Sequence, residues 1–214
     1  NIEMTENCRA SLWYDEHVIL SDSVLNGIKA FRECLDIVIT NSKINSPEFG
    51  WRCGNVVIRD SSLESVYAFF QCYNIEIKNL HFVGKYSFQY VKNMMIENSN
   101  LDTKDAFWHT KNVTVKNSVI KGEYLGWYSE NLTLINCTII GTQPLCYCKN
   151  LKLIDCKTEA CDLAFEYSEV NGNIVGDVVS IKNPLRGKLI ISGRAELIVD
   201  ENDRSKGTFK LAKN

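Results

Sequence analysis

The 214-residue sequence lacks the features of several protein classes. No apolar run approaches the roughly 20 residues of a membrane-spanning helix, and the start of the chain has no signal-peptide pattern. Lys and Arg (24) nearly balance Asp and Glu (26), and both signs are mixed along the chain. Without a basic stripe, neither nucleic acid nor an anionic membrane is expected as a partner.

Motifs of common catalytic and metal sites are also missing. The sequence has no glycine-rich phosphate loop, no nucleophile elbow and no HExxH pair. Cys146, Cys148, Cys156 and Cys161 lack the paired CxxC spacing of a zinc site. We therefore expect neither a metal nor a cofactor. No linker composition interrupts the chain, which is long enough for one domain with a substantial core.

What the sequence contains instead is a strict repeat of 19 residues. Two copies of one pattern begin at Asn112 (NVTVKNSVIKGEYLGWYSE) and Asn131 (NLTLINCTIIGTQPLCYCK). We call the first residue of each copy position one, and this position is Asn or Asp in successive copies: Asp36, Asn55, Asn74, Asn93, Asn112, Asn131 and Asn150. A period kept this strictly indicates a solenoid, in which each turn buries its apolar side against its neighbours.

Apolar residues alternate within each repeat. Positions two and four are apolar in every copy, as at Val113 and Val115, and a period of two is typical of a strand. Position nine is apolar up to Ile139, after a turn at positions six and seven, and an aromatic-rich third segment follows. Nineteen residues leave no room for an ordinary helix beside these segments. The sequence predicts an all-β, single-stranded, right-handed parallel β-helix with about 19 residues and three short strands per turn.

The corners of the predicted coil have their own chemistry. Position six is Asn or Asp, and such side chains tolerate left-handed backbone and hydrogen-bond their own turn. Equivalent residues on successive turns lie about 4.8 Å apart, so we expect this column to form a stacked amide ladder. Position eleven is Gly or a small residue, which indicates a second corner.

The nine cysteines follow the repeat. Cys34, Cys53 and Cys72 share position eighteen, whereas Cys137 and Cys156 share position seven. We interpret them as free thiols stacked in the core rather than as a disulfide framework. Reduced cysteines favour a cytoplasmic location.

The repeat also predicts how the chain is divided. We expect regular turns over residues 1–169, shorter terminal turns over residues 170–200, and a charged tail with a C-terminal cap over residues 201–214. The chain starts at Asn1, within the solenoid pattern, so its first turn would leave an open strand edge. We expect either upstream turns or end-to-end pairing of chains into a homo-oligomer through this edge.

Columns thirteen and seventeen form the most polar and aromatic surface of the predicted coil. Residues of equal parity share one face of a strand, so the two columns are expected to gather in one patch. In this interpretation Asp105 orients His109, tyrosines stack on sugar rings, and Arg52 stabilises an enolate-like intermediate. The candidate ligand-binding residues are Asp105, His109, Tyr86, Tyr90, Tyr124, Tyr128, Trp108 and Arg52.

The alternative interpretation is that these rings pack the third corner and that His109 is an ordinary surface residue. Aromatic residues occur at both position fifteen and position sixteen, for example Phe107 and Trp108, so the sequence leaves open which of the two points inward.

Three segments of the sequence are distinctive: KDAFWHTKNVTVKNSVIKGEYLGWYSENLTLINCTIIGTQPLCY, DLAFEYS and Ile181–Pro184 (IKNP). In these segments the sequence resembles the bacterial DUF3737 family, whose function is unknown. The resemblance covers essentially the whole chain. It implies a single-stranded right-handed β-helix related in shape to pectin lyases, and it supplies no catalytic residue.

Function is predicted as a choice between classes. The favoured prediction is a non-catalytic module or scaffold that binds carbohydrate or protein. The alternative is a polysaccharide lyase or glycoside hydrolase that acts on an exposed face through His109, Asp105 and nearby tyrosines or Arg52. Such enzymes need paired carboxylates, yet Asp105 has tyrosines at the same position in both neighbouring turns. A third prediction is a purely structural role through end-to-end assembly.

Overall fold

The computed structural model describes residues 1–213, and this part of the chain consists of strands and turns without helices. Parallel strands stacked about 19 residues apart form a β-solenoid of about 11 turns. The prediction of an all-β parallel solenoid is confirmed. Accordingly, none of these residues belongs to a helix that could span a membrane.

The strands are numbered in chain order. They are β1 (Glu3–Met4), β2 (Glu16–Ser21), β3 (Val24–Asn26), β4 (Leu35–Thr40), β5 (Lys43–Asn45), β6 (Gly54–Ser65), β7 (Tyr73–Lys85), β8 (Lys92–Glu97), β9 (Asn100–Lys104), β10 (Lys111–Lys116), β11 (Val119–Lys121), β12 (Glu130–Ile135), β13 (Thr138–Ile140), β14 (Leu151–Glu159), β15 (Glu169–Ile174), β16 (Val178–Lys182), β17 (Arg186–Ile191), β18 (Ala195–Ile198) and β19 (Phe209–Lys213).

Two sides of each turn are strands, and their register keeps the period. On the first side, Val113 of β10 lies between Met94 of β8 and Leu132 of β12. On the second side, Ile120 of β11 lies between Leu101 and Ile139. All of these side chains are buried. Positions two, four and nine therefore form continuous internal columns, as the alternation of apolar residues predicts.

The third side of each turn departs from the predicted strand. It is a turn segment whose residues at positions thirteen, fifteen and seventeen are left-handed, with φ of 53° at Asp105, 62° at Phe107 and 56° at His109. The N–H of His109 donates to Trp127 of the following turn (2.9 Å), whereas that of Phe107 donates to Ser87 of the preceding turn (3.0 Å). Hydrogen bonds of alternating direction thus hold this side together.

This backbone settles which position points inward. At position fifteen the side chains of Phe31, Phe69, Phe88 and Phe107 are buried. At position sixteen Trp51, Trp108 and Trp127 are half-buried, and position seventeen faces outward.

The buried thiols are corner donors. Of the nine free cysteines, eight are buried and Cys8 is half-buried. At position eighteen, four side chains donate to the carbonyl of position fifteen in the preceding turn. Cys148 Sγ lies 3.2 Å from the Gly126 oxygen, and Ser129 Oγ lies 2.8 Å from the Phe107 oxygen. A thiol or a hydroxyl can serve as this donor, and Cys, Ser or Thr occupies the column from Cys34 to Cys148 except at Val91.

Amide ladders run along two corners. At position six the predicted ladder forms in pairs, such as Asn136 Nδ2 to Asn117 Oδ1 at 2.9 Å. Position one carries a continuous ladder, which we call the amide ladder, and each Asn donates to its neighbour in the preceding turn. Its members are Asp36, Asn55, Asn74, Asn93, Asn112, Asn131 and Asn150.

The spacing changes near the C-terminal end. Val170 still pairs with Leu151, 19 residues before it, but Gly187 pairs with Val170 at 17 residues and Phe209 pairs with Gly187 at 22. Strands β16 and β18 form a separate two-stranded sheet. The boundaries near residues 170 and 200 and the end-to-end pairing of chains stay predictions.

Candidate functional site

The outward surface of the third side consists of three parallel columns of side chains, which we call the aromatic face. Column thirteen includes Tyr86, Asp105 and Tyr124, column sixteen includes Trp108, and column seventeen includes His109. Seven of the eight predicted site residues lie on this face in neighbouring turns, and Arg52 lies farther toward the N-terminal end of column seventeen. These residues therefore lie on one side of the solenoid, but their contacts differ from the predicted ones.

Column seventeen is a ladder of stacked rings, which we call the ring ladder. Ring centroids are 4.9 Å apart from Tyr90 to His109, 4.9 Å from His109 to Tyr128 and 4.7 Å from Tyr128 to Tyr147, with planes within 10° of parallel. Tyr167, rather than Glu166, continues the column.

The stacking limits what the ring ladder can bind. The rings of His109 and Tyr128 each have a neighbour on both faces, so the predicted stacking of a sugar on Tyr128 is wrong. The face of the Tyr90 ring that stacks on His109 is likewise covered, so a sugar cannot stack there. A ligand can reach only ring edges and phenol hydroxyls here.

Trp108 has a structural task in column sixteen. Its indole N–H donates to the carbonyl of Tyr124 in the following turn (2.6 Å), and its ring stacks on that of Trp127 at 5.5 Å. Trp51 and Trp127 donate in the same way to Tyr67 and Gln143. The tryptophans therefore satisfy carbonyl groups of the third corner and separate columns thirteen and seventeen.

Asp105, in column thirteen, is separated from His109, in column seventeen. Only 6% of Asp105 is exposed. Burial raises the pKa of its carboxyl group, although the nearby charge of Lys104 opposes this shift. No hydrogen bond or ion pair joins Asp105 to His109 within the described chain, so the predicted orientation of His109 by Asp105 is wrong. His109 stacks on its own column neighbours, and the tryptophan column lies between positions thirteen and seventeen.

The other predicted residues also contact their column neighbours. Tyr86 stacks on Tyr67 with centroids 4.9 Å apart, and the ammonium group of Lys104 lies 5.5 Å from the ring centroid of Tyr124. Arg52 Nη1 is 3.4 Å from Glu33 Oε1, and its Nε is 3.3 Å from Gln71 Oε1. Arg52 is thus held at the N-terminal end of column seventeen, where it has no contact with Asp105 or His109.

A groove runs between the ring ladder and the amide ladder, and sequence reasoning missed it. Its volume is about 590 Å³. It is lined by Gln71, Cys72, Tyr73, Asn74, Tyr90, Lys92 and Asn93. Of the predicted residues only Tyr90 reaches it.

Tyr73 is the exposed ring of this groove. It is 40% exposed and stacks on no other aromatic ring of the described chain. The ring lies against Gly54, one turn earlier, where a Cβ atom would collide with it. The signal in the sequence is the pair Gly54 and Tyr73 at position nineteen, because the glycine makes room for the ring.

The groove shows no features of a metal site. Among residues 1–213, no three His, Cys, Asp or Glu side chains gather closely enough to hold a metal ion. Its main polar groups are three amides, two phenols and one ammonium group, which suit hydrogen bonding to a ligand rather than acid–base chemistry.

Comparisons with known proteins give a family and one structural likeness. A family model described as "Protein of unknown function (DUF3737)" matches residues 1–212. None of the curated proteins is significantly similar in sequence. Among solved structures, PfbA, a surface adhesin of Streptococcus pneumoniae, is similar over 88% of this chain and 80% of that chain, with 8% sequence identity and a TM-score of 0.45.

Proposed function

The chain belongs to the DUF3737 family of proteins of unknown function, and from its surface we propose that it is a non-catalytic, carbohydrate-binding β-solenoid. The ligand lies in the groove between the ring ladder and the amide ladder. Tyr73 supplies the ring on which a sugar packs, and the surrounding amides bind its hydroxyl groups.

One observation carries this proposal: the groove combines a partly exposed aromatic ring with planar polar side chains on both sides. Tyr73 offers an apolar surface, whereas Gln71, Asn74 and Asn93 offer amide donors and acceptors. A sugar has both apolar C–H faces and hydroxyl groups. Binding sites that pair an apolar surface with a few placed polar groups suit such a ligand.

The repeat favours an elongated ligand. Both walls of the groove continue along the solenoid axis, because each ladder adds one member per turn of about 4.8 Å. A polysaccharide would therefore meet ring edges on one wall and amides on the other in successive turns, with Tyr73 contacting one of its sugars. An isolated monosaccharide would use only a small part of this surface.

The same geometry supports binding over hydrolysis or lyase chemistry. The separation of Asp105 from His109 removes the one acid–base pair that the sequence suggested. Arg52 is engaged by Glu33 and Gln71 at the end of its column. Asp105, His109 and Arg52 do not line the groove.

The test is a screen against immobilised polysaccharides, followed by calorimetric titration of the best binder with Tyr73→Ala. We expect the substitution to weaken binding about tenfold or more, as for the loss of a stacked aromatic contact. Tyr14→Ala is the matched control, because Tyr14 is 68% exposed near the N-terminal end and lies outside the groove. Failure of every polysaccharide to bind, or equal effects of the two substitutions, would overturn the proposal.

A further inference from the structure

The charges beside the groove point to the class of carbohydrate. We propose, resting on the proposed function, that the ligand is an anionic polysaccharide with carboxylate or sulfate groups, and that Lys92 is the main contact for these groups.

Position nineteen, on the line of the groove, is rich in lysine. From Tyr73 onward it reads Tyr73, Lys92, Lys111, Glu130 and Lys149. Three lysines and one glutamate thus lie side by side in a protein whose net charge is −2. The register places Lys111 between Lys92 and Glu130 on adjacent strands, so the charges are one turn apart. This line is a positive strip on a weakly acidic molecule.

The single carboxylate of this strip is already paired. Lys111 Nζ lies 2.9 Å from Glu130 Oε2. The hydrogen bond and charge of Lys111, with a contribution from Lys149, hold the pKa of Glu130 below its ordinary value. Glu130 therefore remains ionised at neutral pH. Its negative charge offsets the positive charges of Lys111 and Lys149 rather than that of Lys92.

Lys92 differs from the other lysines of the strip because it lines the groove. It is exposed, and no carboxylate of the described chain lies within ion-pair distance of its ammonium group. The other groove-lining side chains carry no charge at neutral pH. An anionic group of the ligand would thus meet one uncompensated cation among neutral hydrogen-bonding groups, and charge-assisted hydrogen bonds are the stronger kind.

Tyr73 and Lys92 are also close enough for one charged sugar to contact both side chains. Their residues pair directly on neighbouring strands. A pyranose that packs on the Tyr73 ring can direct a carboxylate or sulfate toward the ammonium group one turn away. A neutral glycan would leave Lys92 without this partner.

The experiment compares neutral, carboxylated and sulfated polysaccharides for binding to the intact chain, and then each acidic binder with its carboxyl-reduced or desulfated form. We expect acidic polysaccharides to bind and their neutralised forms to lose most of their affinity. The comparison of carboxylated with sulfated ligands identifies the source of the charge. Binding should also weaken as salt is raised.

Lys92→Gln removes the charge at nearly constant length and is expected to weaken binding of the acidic ligand about tenfold. Lys157→Gln is the matched control, because Lys157 is an exposed lysine on the second side of the coil. Equal effects of the two substitutions would indicate general charge attraction and overturn the inference.

Other outcomes separate this inference from the proposed function. Neutral polysaccharides that bind as well as acidic ones, with loss of binding in Tyr73→Ala, would leave the proposed function standing and overturn the anionic ligand. Failure of all polysaccharides to bind would overturn both.

Discussion

Columns fifteen and seventeen are two residues apart, left-handed in backbone and built from stacked rings, yet they face opposite sides of the solenoid wall. Phe88 stacks on Phe69 and Phe107 at 5.2 and 5.1 Å with no exposed surface. Tyr90 stacks on His109 at 4.9 Å and is 44% exposed. The stacking distances are nearly equal, so stacking alone does not distinguish the columns.

What separates the two columns is burial. The inner rings are removed from water on all sides, and burial of apolar surface is the main stabilising term in folding. The outer rings keep their edges in water. Solenoid stability is a sum over turns and their interfaces, so the inner column should carry stability, whereas the outer column is free to serve binding.

The largest expected effect is that of Phe88→Ala in the inner column. Removal of this buried ring leaves a cavity between Phe69 and Phe107, and we expect the free energy of unfolding to fall by about 3–5 kcal/mol. Urea denaturation followed by circular dichroism measures this loss.

Tyr90→Ala is the control for Phe88→Ala, since it removes a ring of similar size from the outer column. Its expected cost is about 1 kcal/mol, the value of an aromatic pair that stays partly in water. If both substitutions cost the same, burial does not explain the difference between the columns.

The second prediction concerns pH and the inward-facing thiol of Cys148. Burial raises the pKa of this thiol from 9.0 to about 12, and the nearby Cys146 adds to the shift. Above pH 9 the unfolded chain loses this proton while the folded chain keeps it. The stabilisation is complete below that pH and falls by about 1.4 kcal/mol per pH unit as pH rises toward 12.

Cys148→Ser should therefore reduce the alkaline loss of stability by about this slope, while a hydroxyl still donates to the Gly126 carbonyl, as Ser168 does to Leu145. Denaturant midpoints measured from pH 8 to 11 provide the test. Thr110→Ser, in the same column, has no ionisable thiol and should keep the slope of the parent protein. A slope unchanged in Cys148→Ser would show that this thiol does not titrate on unfolding.

The solenoid itself was predictable because its signal is local and repeated. Apolar residues recur every 19 residues, as at Val113, Leu132 and Leu151. With a constant interval, residues at the same position of successive turns must stack on one another. The third side was less predictable. The rule of strand parity would place Phe107 and His109 on one face, but in this left-handed segment Phe107 is buried and His109 is exposed.

The groove was missed for a different reason. Tyr73 lies in a column that otherwise holds lysine and glutamate in the following turns, so no aromatic pattern marks it. Its exposure depends on Gly54 in the adjacent turn, a relation between two residues rather than a property of one. The Asp105–His109 pair failed because proximity in sequence does not bring together columns that a row of tryptophans separates.

The smallest expected effect tests column sixteen, which lies between the other two. Trp108→Phe keeps most of the ring but removes the N–H that donates to the Tyr124 carbonyl, so we expect a loss of about 1 kcal/mol in the free energy of unfolding. Urea denaturation measures it, with Tyr128→Phe as the control, because that change removes a hydroxyl from the outward column and should leave stability unaltered. A Trp108→Phe variant as stable as Tyr128→Phe would mean that the indole N–H is dispensable. Column sixteen would then contribute as little to stability as column seventeen, and of the three columns only column fifteen would stabilise the fold.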